Sequence, residues 1–232
     1  MSKLKIYSFF GPNVFFVFTL LLLQSACTST TVDEFRQGQT GIATDESVVI
    51  LGRRQGNEYE TREEFVGCVG DRVSSGQDAI TVIPEREFVD AMFPWFEPRT
   101  APMGISNLER LMADELVAEQ MEKFGVRYMV WLDGFTETSG RTGSISCTAG
   151  PGGAGCFGFG SWEDDSSFNA RVWDVKSRQN VGTINTDASG QSYLPALVIP
   201  IPLIARVEAN ACSRLGDQLK AFVKGDEIYR DT

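Results

Sequence analysis

Gly125-Val126-Arg127-Tyr128-Met129-Val130-Trp131-Leu132 is the stretch whose reading decides the fold. Seven consecutive residues rich in β-branched and aromatic side chains read as a strand. Gly125 ends the amphipathic pattern before it, where Leu111, Met112, Leu116, Met121 and Phe124 form an apolar stripe behind the capping box Ser106-Asn107-Leu108-Glu109. That order is helix, stop, buried strand. Downstream, Ser167 to Val175 alternates Phe168, Ala170 and Val172 with more polar residues, and Lys176-Ser177-Arg178-Gln179-Asn180 turns the chain into Val181 to Ile184, which makes a hairpin.

Upstream, Ser47-Val48-Val49-Ile50-Leu51-Gly52 has the form of a buried first strand. Thr61 to Val73 carries Phe65, Val66, Val69 and Val73 at helical spacing, with Thr61 as its N-cap. Thr81-Val82-Ile83 is a second short strand, and a helix from Pro84 to about Phe93 follows it. Pro94, Pro98, Pro102 and Gly104 make residues 94–105 a loop. Glu208 to Val223 closes the chain as a helix stopped by Gly225. The order predicts one α/β (α+β) domain over residues 47–225, a single mixed sheet with helices packed on it as a two-layer sandwich. Residues 226–232 are a C-terminal tail.

The amino terminus is an address. Lys3 and Lys5 precede an apolar run from Val14 to Leu23, too short to span a bilayer as a helix, followed by small residues: a signal peptide over 1–26. Leu23-Gln24-Ser25-Ala26-Cys27 resembles the lipobox of bacterial lipoproteins, departing from it at Gln24, where an apolar residue is usual. The resemblance implies a diacylglycerol thioether and an N-acyl chain, palmitate among them, on Cys27. More than one chain anchors stably. Thr28 rather than Asp after the cysteine resembles the pattern sent to the outer membrane, facing the periplasm. Residues 27–46, rich in Thr, Gln and Gly, read as a lipidated polar tether. Losing residues 1–26 removes two lysines and no acid, taking the net charge from −10 to −12. An acidic body without a basic stripe argues against a nucleic-acid partner.

Export places the chain where disulfides persist. With Cys27 set aside, Cys68, Cys147, Cys156 and Cys212 remain, and four cysteines allow three pairings. Closing the flexible 148–155 segment with Cys147–Cys156 is the least demanding choice. It leaves Cys68 with Cys212. In the chain-entropy model the short bridge contributes roughly 3 kcal/mol and the long one about 5.

Residues 125–132, Ala170-Arg171-Val172-Trp173-Asp174-Val175, Val181-Gly182-Thr183-Ile184 and the closing helix together resemble lipoproteins of the CsgG/LpoB type, which serve curli secretion and penicillin-binding-protein activation. The resemblance spans roughly residues 47–224. It implies a periplasmic module that binds or assembles, with an envelope protein or peptidoglycan-associated partner and a possible homo-oligomer. The cysteine-flanked glycine loop and the proline-rich 194–202 stretch depart from that pattern.

The chain has no histidine, which excludes Ser-His-Asp and Cys-His catalysis and imidazole metal sites. No catalytic residue, metal site or cofactor is assigned. Glu163, Asp164 and Asp165 crowd three carboxylates together, but solvated loop charge is the favoured reading; Glu97 and Asp133 have no evident partner. Gly150 to Gly160 lacks the Lys-Ser/Thr of a phosphate loop and reads as a hairpin tip. Partner-binding candidates are aromatic or aliphatic: Trp95 and Phe96 in the proline loop; Phe157, Phe159 and Trp162 beside the glycines; and Leu197, Ile199 and Ile201 in an uncharged extended segment. Inward packing is the favoured fate of the last two groups. The function expected is a lipid-anchored binding or assembly module without catalysis. The alternatives are an oligomeric secretion or pore component and a hydrolase using carboxylates alone. Mass spectrometry of the mature protein should find an amino-terminal Cys27 peptide carrying the diacylglycerol and acyl masses, and an unmodified Cys27 thiol overturns the anchor.

Overall fold

A computed structural model describes residues 28–53, 60–97, 101–102, 105–151 and 153–226. The expected signal peptide, Cys27 and most of the expected C-terminal tail lie outside them. Six strands form one sheet: β1 (Thr28–Arg36), β2 (Ser47–Gly52), β3 (Thr81–Ile83), β4 (Val126–Gly150), β5 (Gly153–Asp174) and β6 (Gln179–Pro200), in the order β1-β6-β5-β4-β2-β3. β1, β6, β5 and β4 are mutually antiparallel, while β4, β2 and β3 run parallel. Among the described residues five helices pack on this sheet: α1 (Glu63–Val73), α2 (Glu85–Ala91), α3 (Ile105–Met112), α4 (Glu115–Lys123) and α5 (Val207–Lys224). The expected single mixed sheet with packed helices is what forms.

Period-two alternation sorts the sheet residues between two cores. On one face Val48, Ile50, Tyr128, Val130, Leu132, Phe168, Ala170, Val172 and Ile184 pack beneath α1 and α5. Phe65 of α1 stacks on Phe168 with ring centroids 3.5 Å apart. On the other face Val49, Leu51, Met129, Trp131 and Trp173 meet Phe88, Met92, Leu108, Met112, Val117 and Met121 from α2, α3 and α4. The stretch 126–132 feeds both, so it has no polar face. That is why it reads as a continuous apolar run. Cys68 and Cys212 join α1 to α5 across 144 residues of chain. Beside that bridge Gly216 lets the helices approach, since a Cβ there would lie 2.6 Å from Arg72 Cβ.

Several local expectations change. Thr28–Arg36, read as tether, is an edge strand in register with Gly182 to Gly190. Its composition hides it because backbone pairing and contacts to α5 hold it: the Arg36 guanidinium lies 4.4 Å over the Phe222 ring, and Gln218 Nε2 donates to Glu34. Thr61 is not a cap. It is buried, and its hydroxyl faces the carbonyls of Leu132 and Gly134 at 3.3 and 3.2 Å. The single helix expected from Ser106 to Phe124 is two, because the Asp114 carboxylate accepts the Leu116 N–H at 2.9 Å and starts α4 afresh. The hairpin strands are far longer than the 167–184 pattern suggests.

At the lower end of the sheet Arg127 bridges Asp174 and Glu46, and Lys176 also reaches Glu46. Burial alone would raise the Glu46 carboxyl, but the Ala43 N–H at 2.8 Å, the Lys176 ammonium and Arg127 outweigh it and hold the group below its ordinary value of 4.5. A folded-state pKa that is depressed contributes stability above the unfolded value and loses it as pH falls through the folded one. Urea unfolding below about pH 4.5 should therefore show a falling free energy that Glu46→Gln makes shallower. Identical slopes for both proteins would refute the assignment.

Candidate functional site

β4, β5 and β6 do not stop where the helices stop. They pair along their whole length, from Tyr128 opposite Asp174 to Gly150 opposite Gly153, and from Asp174 opposite Gln179 to Cys156 opposite Val198. The result is a three-stranded arm beyond the helical body. Glycine and proline are poor strand formers, so the ladder needs an explanation. Gly158 has φ +148°, and a Cβ there would lie 2.2 Å from the Ser144 carbonyl oxygen; only glycine permits so close a backbone. Pro195 sits on β6 beyond Gly190, where β1 has ended and β6 has become an edge. Its carbonyl accepts the Ile201 N–H at 2.9 Å, so its outward side faces away from β5 and no ladder bond is lost. The chain then folds back, and Tyr193 and Leu203 exchange two backbone bonds of 2.8 Å.

Along β4 the outer side behaves differently. β2 pairs with it only as far as Leu132, and among the described residues no strand pairs with it beyond that point. The arm therefore offers one long unpaired edge. Cys147 and Cys156 stand directly opposite each other and are joined, which pins the β4–β5 register near the tip.

The tip is apolar and open. Phe157 is 73% exposed, Leu197 75%, Ile199 68% and Ile201 59%; Phe159, Val198 and Ile204 are exposed as well. Inward packing, the favoured expectation for these residues, does not occur, since no helix among the described residues reaches this part of the sheet. Val198 and Ile204 belong to the same patch and were not singled out from sequence. Trp162 is half-buried at the base of the tip, and its indole N–H donates to Asp164 at 3.1 Å. Trp95 and Phe96 leave the candidate set. Phe96 is 4% exposed and meets Phe88 edge-on at 4.9 Å, while Trp95 packs partly buried against the same core.

Strand geometry separates the carboxylates. Glu163 and Asp165 lie exposed on one face, whereas Asp164 points to the other and accepts from Thr138 at 2.6 Å and from Trp162. Asp133 pairs with Arg53 at 3.0 Å, and Glu97 is likewise engaged. Among the described residues no group of three or more His, Cys, Asp or Glu side chains is placed to hold a metal. An open groove of about 420 Å³ crosses the uncovered sheet face, lined by Ser29, Thr31, Glu137, Asp165, Asp187 and Ser189 with Phe135. A second, of about 630 Å³, lies between α1, β3 and α2.

The signal for the arm is a lack of charge. Neither 142–162 nor 188–205 contains a charged residue, and register brings the two segments side by side. No helix among the described residues is long and apolar enough to cross a membrane, which says nothing of strands.

No protein-family model matches the sequence, and no curated protein does. Among solved structures the chain is similar to the PelC dodecamer from Paraburkholderia phytofirmans, at 10% identity over 86% of this chain and 100% of that one with a TM-score of 0.37. A dodecamer of a single-residue PelC variant from the same organism matches at 12% identity over 84% and 99% with a TM-score of 0.38. A likeness this distant carries no statement about what the chain does.

Because the tip residues touch no core, replacing them should leave folding stability nearly unchanged. Leu197→Ser with Ile199→Ser is expected to shift the unfolding free energy by less than about 0.5 kcal/mol per site. A loss of several kcal/mol in chemical denaturation would mean that the tip packs inward after all.

Proposed function

We propose that the chain is an exported, lipid-anchored protein of the bacterial outer membrane that works by assembly with copies of itself and performs no catalysis. One observation carries the reading: a projecting arm with an apolar tip and a strand edge that nothing among the described residues covers. An unpaired edge of this length is a template for another strand, and proteins that remain monomeric blunt such edges with charge, proline or a bulge. Along its unpaired edge β4 carries Asp133, Glu137 and a bulge between Ser139 and Thr142 with Arg141 inside it, but from Thr142 to Gly150 it is uncharged. A second copy supplies the missing strand and covers apolar side chains that would otherwise face water. The resemblance to secretion lipoproteins implies the same kind of role.

The absence of histidine removes imidazole chemistry, and strand alternation turns Asp164 away from Glu163 and Asp165, which weakens the carboxylate-hydrolase alternative. Glu163→Gln should leave any envelope phenotype unaltered.

Full-length protein extracted in mild detergent should weigh a whole-number multiple of the protomer by light scattering. Phe157→Ser with Leu197→Ser should lower that mass toward one protomer. A wild-type monomer at every concentration tested would overturn the assembly reading.

A further inference from the structure

We propose that the Cys147–Cys156 bridge is a thiol–disulfide exchange site, opened by a dithiol oxidoreductase of the Cys-x-x-Cys kind, whose redox state governs assembly through the arm. The exchange itself stands on the geometry of the bridge; its consequence rests on the assembly reading above.

Access distinguishes this bridge from its counterpart. Cys147 is exposed and Cys156 half-buried, on a part of the sheet that no helix among the described residues covers. The other bridge is shut away: Cys212 is 1% exposed, and Cys68 packs partly buried against the core beneath α1 and α5. Exchange proceeds by attack of a thiolate on a disulfide sulfur, so access sets its rate.

Charge distinguishes the two again, because the attacking thiolate is an anion. Residues 142–162 and 188–205 are uncharged, so neither the strands that carry the bridge nor β6 beside them present a carboxylate at its level. Around Cys68–Cys212 the helices do present them. Glu64 and Asp71 stand four and three residues from Cys68 on α1, and Glu208 stands four from Cys212 on α5, each about one helical turn away. In an acidic chain the tip is therefore where an anionic sulfur meets least repulsion.

The bridge also holds what side chains do not. Cys147 is opposite Cys156, and Cys156 is opposite Val198, the last residue of β6 to pair with β5. Beyond this row β4 and β5 continue as Thr148 opposite Gly155, Ala149 opposite Ala154 and Gly150 opposite Gly153. Cross-strand side-chain pairs stabilise a sheet, and glycine-rich strands specify register weakly, so the sulfur–sulfur bond fixes what these small residues leave loose. In the same row Val198 has φ 83°. For a β-branched residue that backbone is strained, and it persists only where the surroundings hold it.

The exchange balances between the two proteins. A thiolate of the oxidoreductase attacks Cys147 Sγ and forms a mixed disulfide, and Cys156 Sγ leaves as a thiolate. The second cysteine of the oxidoreductase then attacks the mixed disulfide and frees Cys147. Two electrons and two protons pass to Cys147 and Cys156, and the dithiol becomes a disulfide. With the bridge open, Val198 relaxes and the outermost β4 edge, Thr148 to Gly150, loses its fixed register. That edge belongs to the template with which a second copy pairs, so the reduced arm assembles more weakly.

The test uses full-length protein in mild detergent, treated for increasing times with dithiothreitol and then with iodoacetamide. Cys147 and Cys156 should be alkylated at least about tenfold faster than Cys68 and Cys212. A thioredoxin whose second active-site cysteine is replaced by serine should be trapped as a mixed disulfide on the Cys147–Cys156 pair. Reduction that stops short of Cys68–Cys212 should raise the concentration at half-assembly in light scattering at least about threefold. Cys147→Ser with Cys156→Ser should show the same rise without reductant and no further response to it, with its far-ultraviolet spectrum retained. Alkylation of Cys68 and Cys212 first, or of all four together, would overturn the exchange site, and so would selective opening that leaves the assembled mass unchanged. A monomer in both redox states sinks the assembly reading alone, and the order of alkylation then judges the exchange site by itself.

Discussion

The antiparallel ladder joining β4, β5 and β6 is the constraint on which the rest of the molecule depends. Its lower part is a floor for two cores, because residues alternate between the face under α1 and α5 and the face under α2, α3 and α4. Its upper part has no helix among the described residues over it and continues because each strand satisfies the next. One register governs both halves. A slip of one residue would turn Tyr128, Val130 and Leu132 out of their core and would also part Cys147 from Cys156.

Two disulfides act on different parts of that arrangement. Cys68–Cys212 closes a long loop and holds α1 against α5 over the sheet, where Gly216 and the buried Phe65 and Phe222 make the approach tight. Cys147–Cys156 sits near the tip, away from any core, and fixes which residues of β4 and β5 face each other. The first therefore bears on folding stability, the second on the shape of the arm.

Much of the body was legible in the residues. The runs 47–52 and 126–132 are apolar because both their faces are covered, and helical stripes such as Phe65, Val66, Val69 and Val73 name their own inward side. The candidate site was legible only in part. Phe157, Phe159, Leu197, Ile199 and Ile201 stood out as apolar residues among glycines and prolines, yet nothing local says whether such residues lie inside or outside. Trp95 and Phe96, read as partner-binding candidates in a proline-rich loop, pack against the core formed with α2, α3 and α4. β1 was missed altogether, since its hold is backbone pairing and contacts from a helix nearly 200 residues away in sequence.

By itself the sequence determined the basic start and apolar run at the amino terminus, the missing imidazole chemistry, the helical and buried-strand periods and the even set of four cysteines after Cys27. These are properties of short windows or of composition, and short windows carry them completely. Tertiary structure alone decided that two uncharged segments lie side by side and that Thr28 opens beside Gly190 and Asp164. Those are matters of register between strands far apart in the chain. Register is set by hydrogen bonding across the sheet and by burial of one face, which no single window contains.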